Sequence, residues 1–375
     1  MLTRSGKIGI CAALVTLLLA VTLPVASAQP ERGPAATPSK AKEAKAKAAT
    51  KQRGIYWGAW IGTQLTGGQP PWDMSALSHF EGMTGKGLSL LHFAAPFADC
   101  SSKPCDFYEF PEYEMQTIRN YGAIPFFSWG SQSIPVPADL NEPEFQLADI
   151  TAGTYDKYLR EFAEGARDWG HPFFLRFNWE MNGDWFPWAE HANGNQPNDY
   201  INSWRHVHDI FSSVGANNAN WVWCPYVNSK PQLGPLARFY PGGDYVDWTC
   251  LDGFNWAKNA VNSQPWTSFD EIFGPSYRTI VNKLAPEKPM LLGEFASGGG
   301  AKAKATWIKD MFTHLRTKYR RIRGMLWFNQ IDRGVQWPIE TAPSVTAAFS
   351  RGVRQTAFAA NHFSGLAGTK IVPPR

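Results

Sequence analysis

Charge is scarce in this chain, and long apolar runs are scarcer. Only 18% of the 375 residues are Asp, Glu, Lys or Arg. A single apolar run, residues 8–25, has a length that concerns a membrane, which excludes a polytopic membrane protein. Cysteine is sparse at five residues, so a small disulfide-stapled scaffold is excluded as well. No H-E-x-x-H and no G-x-S-x-G is present, which sets aside zinc peptidase and serine esterase chemistry. His206 and His208 are two apart on a predicted helix and do not share a face, so they make a poor metal pair. The segment GMTGKG (82–87) is too short for a phosphate loop. No metal or organic cofactor is expected.

Aromatic residues, by contrast, reach 14%, and all 17 Trp lie beyond residue 56. The formal charge of +4 is unevenly placed. Arg4 and Lys7 precede the apolar run, and Ala26-Ser27-Ala28 follows it, the pattern of a secretory signal peptide cleaved after Ala28. Residues 29–53 contain Ala, Lys and Pro with no aromatic or large aliphatic side chain, a composition that reads as a basic spacer. Together these two segments carry +7, which leaves −3 on residues 54–375. A folded part of that sign argues against a nucleic-acid partner. Export implies a secreted protein free of the membrane after cleavage, and a monomer is expected.

Of the cysteines, Cys11 falls in the apolar run. Cys100, Cys105, Cys224 and Cys250 allow three pairings. Cys100 and Cys105 flank the short loop SSKP, which favours a local bridge. Cys224 and Cys250 would then pair across neighbouring strands, with two buried thiols as the alternative.

From Gly54 the chain repeats one theme, a short apolar run followed by a helical stretch. The runs are 54–60, 88–97, 123–132, 172–180, 220–229, 250–256, 288–297 and 323–330. Five helices are predicted, within 109–121, 152–170, 199–215, 269–285 and 303–319, with Asp199 and Ser268 as caps. Continuous apolar strands alternating with helices imply a parallel sheet covered on both faces. Eight such units predict an α/β fold, a (β/α)₈ barrel in one domain spanning 54–365 with a tail at 366–375. A doubly wound open sheet fits less well, because no glycine-rich turn follows the first strand.

A barrel concentrates function at the C-terminal ends of its strands. In the fourth run, alternation puts Arg176, Asn178 and Glu180 on one face, above Phe174. The loop that follows carries Asn182, Asp184, Trp185, Phe186 and Trp188. A carboxyl among indole rings is desolvated and holds its proton toward neutrality. The seventh run ends in Gly293-Glu294. Two glutamates facing one another across an aromatic-lined mouth are the equipment of glycoside hydrolysis. The alternative for either one alone is a structural ion pair with an inward arginine such as Arg176.

The segment RFNWEMNGDWFPW (176–188) resembles the acid/base signature of glycoside hydrolase family 26. LLGEFAS (291–297) resembles its nucleophile strand, 240–256 its sixth-strand region and GMLWFN (324–329) its eighth. The resemblance covers nearly all of 54–340. It implies a retaining barrel with Glu180 as general acid/base and Glu294 as nucleophile. It also implies a β-linked polysaccharide substrate, most often β-1,4-mannan, with mixed-linkage β-glucan or β-1,3-xylan as alternatives. Two positions depart from the pattern. Trp179 stands where many family mannanases have His, and Phe254 where many have Tyr. Arg176, Asn178, Trp179, Trp185, Trp188, Asn255, Trp256 and Trp327 are the expected substrate contacts, with Trp327 as the floor where the bond breaks. Asn182 and Asn228 are further candidates for hydrogen bonds to hydroxyls. Trp57, Trp129 and Trp223 also fall near strand ends, where each fits core packing as well as sugar contact. The rival from another class is a non-catalytic carbohydrate-binding barrel.

Overall fold

The computed structural model describes residues 53–227, 234–258 and 263–375. The expected signal peptide, most of the spacer and Asn228 lie outside them. Eight parallel strands form a closed barrel: β1 (Tyr56–Ile61), β2 (Leu90–Asp99), β3 (Ile124–Ile134), β4 (Phe173–Phe177), β5 (Ala219–Trp223), β6 (Trp248–Asn255), β7 (Met290–Ser297) and β8 (Ile322–Asn329). Each pairs with the next. β1 closes the ring, pairing with β8 from Tyr56–Gly324 to Ile61–Asn329 and with β2 at Gly58–Leu90. The predicted (β/α)₈ barrel is the observed fold.

The outer layer is helical: α1 (Met74–Thr84), α2 (Glu112–Tyr121), α3 (Asp156–Trp169), α4 (Asp199–Ser213), α5 (Phe269–Thr279), α6 (Ala301–Thr317) and α7 (Pro343–Val353). Helix α3 shows why such segments fold onto the sheet. Leu159, Phe162, Ala163, Ala166 and Trp169 recur at helical spacing and are all buried. Ser268 caps α5 through a reciprocal capping box with Glu271. Asp199 differs from its expected role: Asn198 is the cap, and Asp199 is the first helical residue, its carboxylate accepting from the Gln196 N–H. Helices α1 and α7 escaped the sequence reading. Among the described residues, β5 and β6 are joined by 3₁₀ turns, Leu236–Phe239 and Gly243–Tyr245, where a helix would complete the repeat.

Alternation along β4 sorts two cores. Phe173, Leu175 and Phe177 face the helices, while Phe174 joins Tyr56, Phe126, Trp248 and Leu291 inside the barrel. Residues 366–375 are no free tail. Ile371 is buried in the inner core, and its carbonyl accepts from the Trp248 indole at 3.0 Å. The Val372 carbonyl accepts from the Tyr56 hydroxyl at 2.8 Å, and Pro374 from Arg323 at 2.6 Å. This segment plugs the end of the barrel opposite the strand C-termini.

Both cysteine pairs are disulfides, Cys100–Cys105 and Cys224–Cys250. No helix among the described residues is long and apolar enough to cross a membrane.

Candidate active site

Strand β4 ends at Phe177, three residues before the expected acid. Asn178 and Glu180 then take left-handed backbone angles, φ 40° and 53°, which reroute the chain. The Asn178 N–H still bonds the Trp129 carbonyl on β3 at 3.0 Å, but the Glu180 N–H bonds the Cys224 carbonyl beyond β5 at 2.8 Å. The turn therefore lifts Glu180 over the barrel mouth. It also breaks the alternation that would aim Asn178 there. Asn178 is fully buried, accepting from the Ser131 N–H and donating to the Ser131 hydroxyl, each at 2.8 Å.

Glu294 arrives by a bulge. On both flanks of β7 the register shifts between Leu292 and Phe295, inserting one extra residue at Gly293-Glu294. A side chain at position 293 would have no room. A β-carbon there would sit 2.6 Å from Cys250 Sγ, 2.7 Å from Asp252 Oδ1 and 2.9 Å from Cys224 Sγ. Glycine lets β7 press onto the disulfide and onto Asp252, and Asp252 Oδ1 accepts the Glu294 N–H at 2.7 Å.

Beneath the mouth, one guanidinium serves two acids. Arg176 is fully buried, donates through Nη1 to Glu294 Oε1 at 2.7 Å and pairs through Nη2 with Asp252. His92 Nε2 lies 2.7 Å from the Ser128 hydroxyl and 3.8 Å from Glu294. Burial first, then the Arg176 charge, holds His92 well below the ordinary histidine range, so it is neutral. Burial, reinforced by the Glu294 charge, pushes Glu180 up to about 7. The Trp185 indole works against that shift by donating to Glu180 Oε2 at 2.6 Å. Burial also raises Asp252, against the pull of Arg176. A carboxyl protonated near neutrality beside an arginine-bound carboxylate can donate a proton while its neighbour attacks.

Glu180 and Glu294 line one cavity of about 530 Å³. Its aromatic walls include Trp179, Trp185, Tyr226, Phe254, Trp256 and Trp337. Of the expected contacts, Trp179, Trp185 and Trp256 face this cavity. The others do not. Arg176 and Asn178 are buried supports, as described. Trp188 is fully buried, and its indole donates to the Trp179 carbonyl at 2.6 Å. Asn255 is buried between the Ser297 hydroxyl at 2.9 Å and the Thr267 N–H at 2.8 Å. Trp327 is no floor. It faces the helices, packed on Phe295 and Phe349 at centroid distances of 5.4 and 5.2 Å. Trp57, Trp129 and Trp223 are likewise core. Asn182 holds Tyr226 by paired backbone bonds at 2.9 Å.

Sequence reasoning missed Asp252, His92, Tyr226 and Trp337. Asp252 had a signal, as the lone charge in the apolar run CLDGFNW. Trp337 had none, because a loop after β8 brings it against Phe254 at 5.0 Å and Trp256 at 5.1 Å.

The fold and this carboxyl constellation define a (β/α)₈ barrel with two acids beyond its fourth strand and on its seventh, facing one aromatic cavity. Residues 126–295 match the model of glycosyl hydrolase family 26, and the chain belongs to that family. It is 32% identical over 309 residues to Endoglucanase H of Acetivibrio thermocellus, a match spanning 80% of this chain and 30% of that protein. A mannan endo-1,4-beta-mannosidase of Bacillus subtilis is 26% identical over 140 residues, 35% of this chain and 38% of that one. The chain thus spans less than half the length of these curated relatives. Among solved structures, a Cellulomonas fimi endo-beta-1,4-mannanase double mutant superposes with a TM-score of 0.61 at 17% identity, covering 84% of this chain and 74% of the other. At that identity the likeness speaks for the fold.

Proposed function

We propose that the protein is a retaining endo-β-glycanase. The observation that carries this reading is the pairing of a buried Glu180, its carboxyl pushed up to about 7, with the Arg176-bound Glu294 in one aromatic cavity. Glu180 protonates the glycosidic oxygen as Glu294 attacks the anomeric carbon and forms the glycosyl-enzyme. Glu180, now ionised, takes a proton from water, which releases the sugar with retained configuration. Arg176 fixes the attacking carboxylate by donating to Glu294 Oε1 at 2.7 Å. The aromatic walls stack on the apolar faces of pyranose rings.

Mannan leads on the family resemblance. Two observations favour a β-glucan with 1,4 links instead. The broader likeness is to Endoglucanase H, across 80% of this chain. Beside the acid, Trp179 offers an aromatic ring, packed on Phe186 and over the Arg176 guanidinium, where a polar group would engage an axial hydroxyl. An export signal and two disulfides fit work outside the cell, where such polymers are met. The test is reducing-sugar release from lichenan, glucomannan, galactomannan and β-1,3-xylan by wild type and Glu294→Ala. Release from lichenan, lost in the variant, is expected. Equal release by both proteins sinks the assignment, and binding without release favours the non-catalytic barrel. Release from galactomannan alone returns the substrate to mannan.

A further inference from the structure

The β6–α5 loop carries an exposed tryptophan beside the catalytic cavity. Trp266 is 46% exposed, and its ring meets no other aromatic ring among the described residues. The other strongly exposed indole, Trp72, is accounted for locally: it donates to Glu114 at 2.9 Å and lies edge-on to Phe93. Trp266 has no such explanation in its surroundings, and an exposed indole of this size costs hydrophobic free energy in water.

The segment that presents it is held firmly. Pro265 precedes it and fixes its own φ. The next residue, Thr267, is pinned on both sides, its N–H to Asn255 Oδ1 at 2.8 Å and its carbonyl to the Trp307 indole at 3.0 Å. Ser268 then opens α5 with its capping box. The ring is therefore displayed from a pre-set backbone, which lowers the entropy lost when a ligand docks.

Trp266 forms one wall of a groove of about 570 Å³. Gly300, Ala301, Lys302, Ala303 and Thr306, from the start of α6, form the other. The small residues leave room for a ring against the indole, and the Lys302 ammonium offers donors there, while the Thr306 hydroxyl, which donates to the Lys302 carbonyl at 3.0 Å, offers an acceptor. The groove lies beside the catalytic cavity, because Gln264 and Thr267, which flank Trp266 in the chain, line that cavity. It contributes no acid, and its one charge is a lysine. A neutral polyhydroxylated chain leaving the cleft over this rim meets an aromatic face and hydrogen-bond donors.

We propose that Trp266 and the first turns of α6 form a remote subsite that binds the same β-glycan chain outside the catalytic cavity. This rests on the glycanase reading, and its test is kept separate from hydrolysis. The affinity of the soluble panel polysaccharides is measured by calorimetry in the Glu294→Ala protein, alone and combined with Trp266→Ala, Trp266→Phe or Ala303→Arg. Trp266→Ala and Ala303→Arg should each weaken binding about fivefold, the worth of one aromatic stack, and Trp266→Phe should restore most of it. Unchanged affinity in both weakening variants overturns the subsite. Equal loss in Trp266→Phe and Trp266→Ala also counts against a stacking platform. If wild type hydrolyses nothing while these affinities still differ, the enzyme assignment falls and the subsite stands. If wild type hydrolyses a glycan that all variants bind alike, the reverse holds.

Discussion

Arg176 donates to Glu294 across 2.7 Å from a side chain with no exposed surface. The same guanidinium pairs with Asp252, whose other oxygen holds the Glu294 backbone. Glu294, the proposed nucleophile, is thus fixed at side chain and main chain by one buried pair. A lysine at this position keeps the charge and loses the fork. Arg176→Lys is expected to lower kcat about 100-fold with a smaller change in KM, as misplacement of a reacting group does. Steady-state kinetics beside circular dichroism distinguishes this from unfolding.

The alkaline limb of activity should report Glu180. Its acid form is needed to protonate the leaving oxygen, so kcat/KM should fall as pH rises through about 7. Stability follows the same group. Its folded pKa lies above the ordinary 4.5, so the folded state binds the extra proton between 4.5 and about 7, and stability declines across that window as pH rises. Glu180→Gln removes that penalty. Its melting temperature should exceed that of wild type at pH 8, with the difference shrinking toward pH 4.

Trp185→Phe gives a less intuitive shift. The Trp185 indole donates to the Glu180 carboxylate and favours its ionised form. Without that bond Glu180 holds its proton to higher pH. The alkaline limb should move upward even as overall activity drops. A pH–rate profile checks the direction, and a downward shift contradicts the arrangement.

Lys304 tests the loop that brings Trp337 to the cleft. It is fully buried, and its ammonium donates to the carbonyls of Gln336, Trp337 and Pro338 at 2.7–2.9 Å. Burial pulls its pKa down to about 7, opposed by the Glu340 charge. Three acceptors use all three ammonium hydrogens. Lys304→Met should therefore cost about 3 kcal/mol or more, since it strands those carbonyls, and should raise KM as the aromatic wall loosens. Denaturant melts and substrate titration measure the two effects.

The two glutamates proposed as the catalytic pair were legible because carboxylates at the ends of apolar runs are rare and the motif around Glu180 is dense. The supports were harder to read. Asn178 looked like a sugar contact because strict alternation was extended past Phe177, where two left-handed residues end it. Trp327 looked like a floor because its strand was right, but the pleat turns its ring toward the helices. Residues 366–375 read as a tail beyond the barrel domain, yet Ile371 fills the barrel end.

By itself, then, the sequence determined the eight-fold alternation, the two acids, the cysteine pairing it favoured and the removal of positive charge from the folded part. These are local properties, written in periodicity, composition and short motifs. The tertiary structure alone decided which of the 17 tryptophans face the cleft, and that Asp252, His92 and Arg176 meet beneath Glu294. Those outcomes depend on a bulge, a turn and the closure of β1 onto β8, which bring side chains together from strands more than a hundred residues apart.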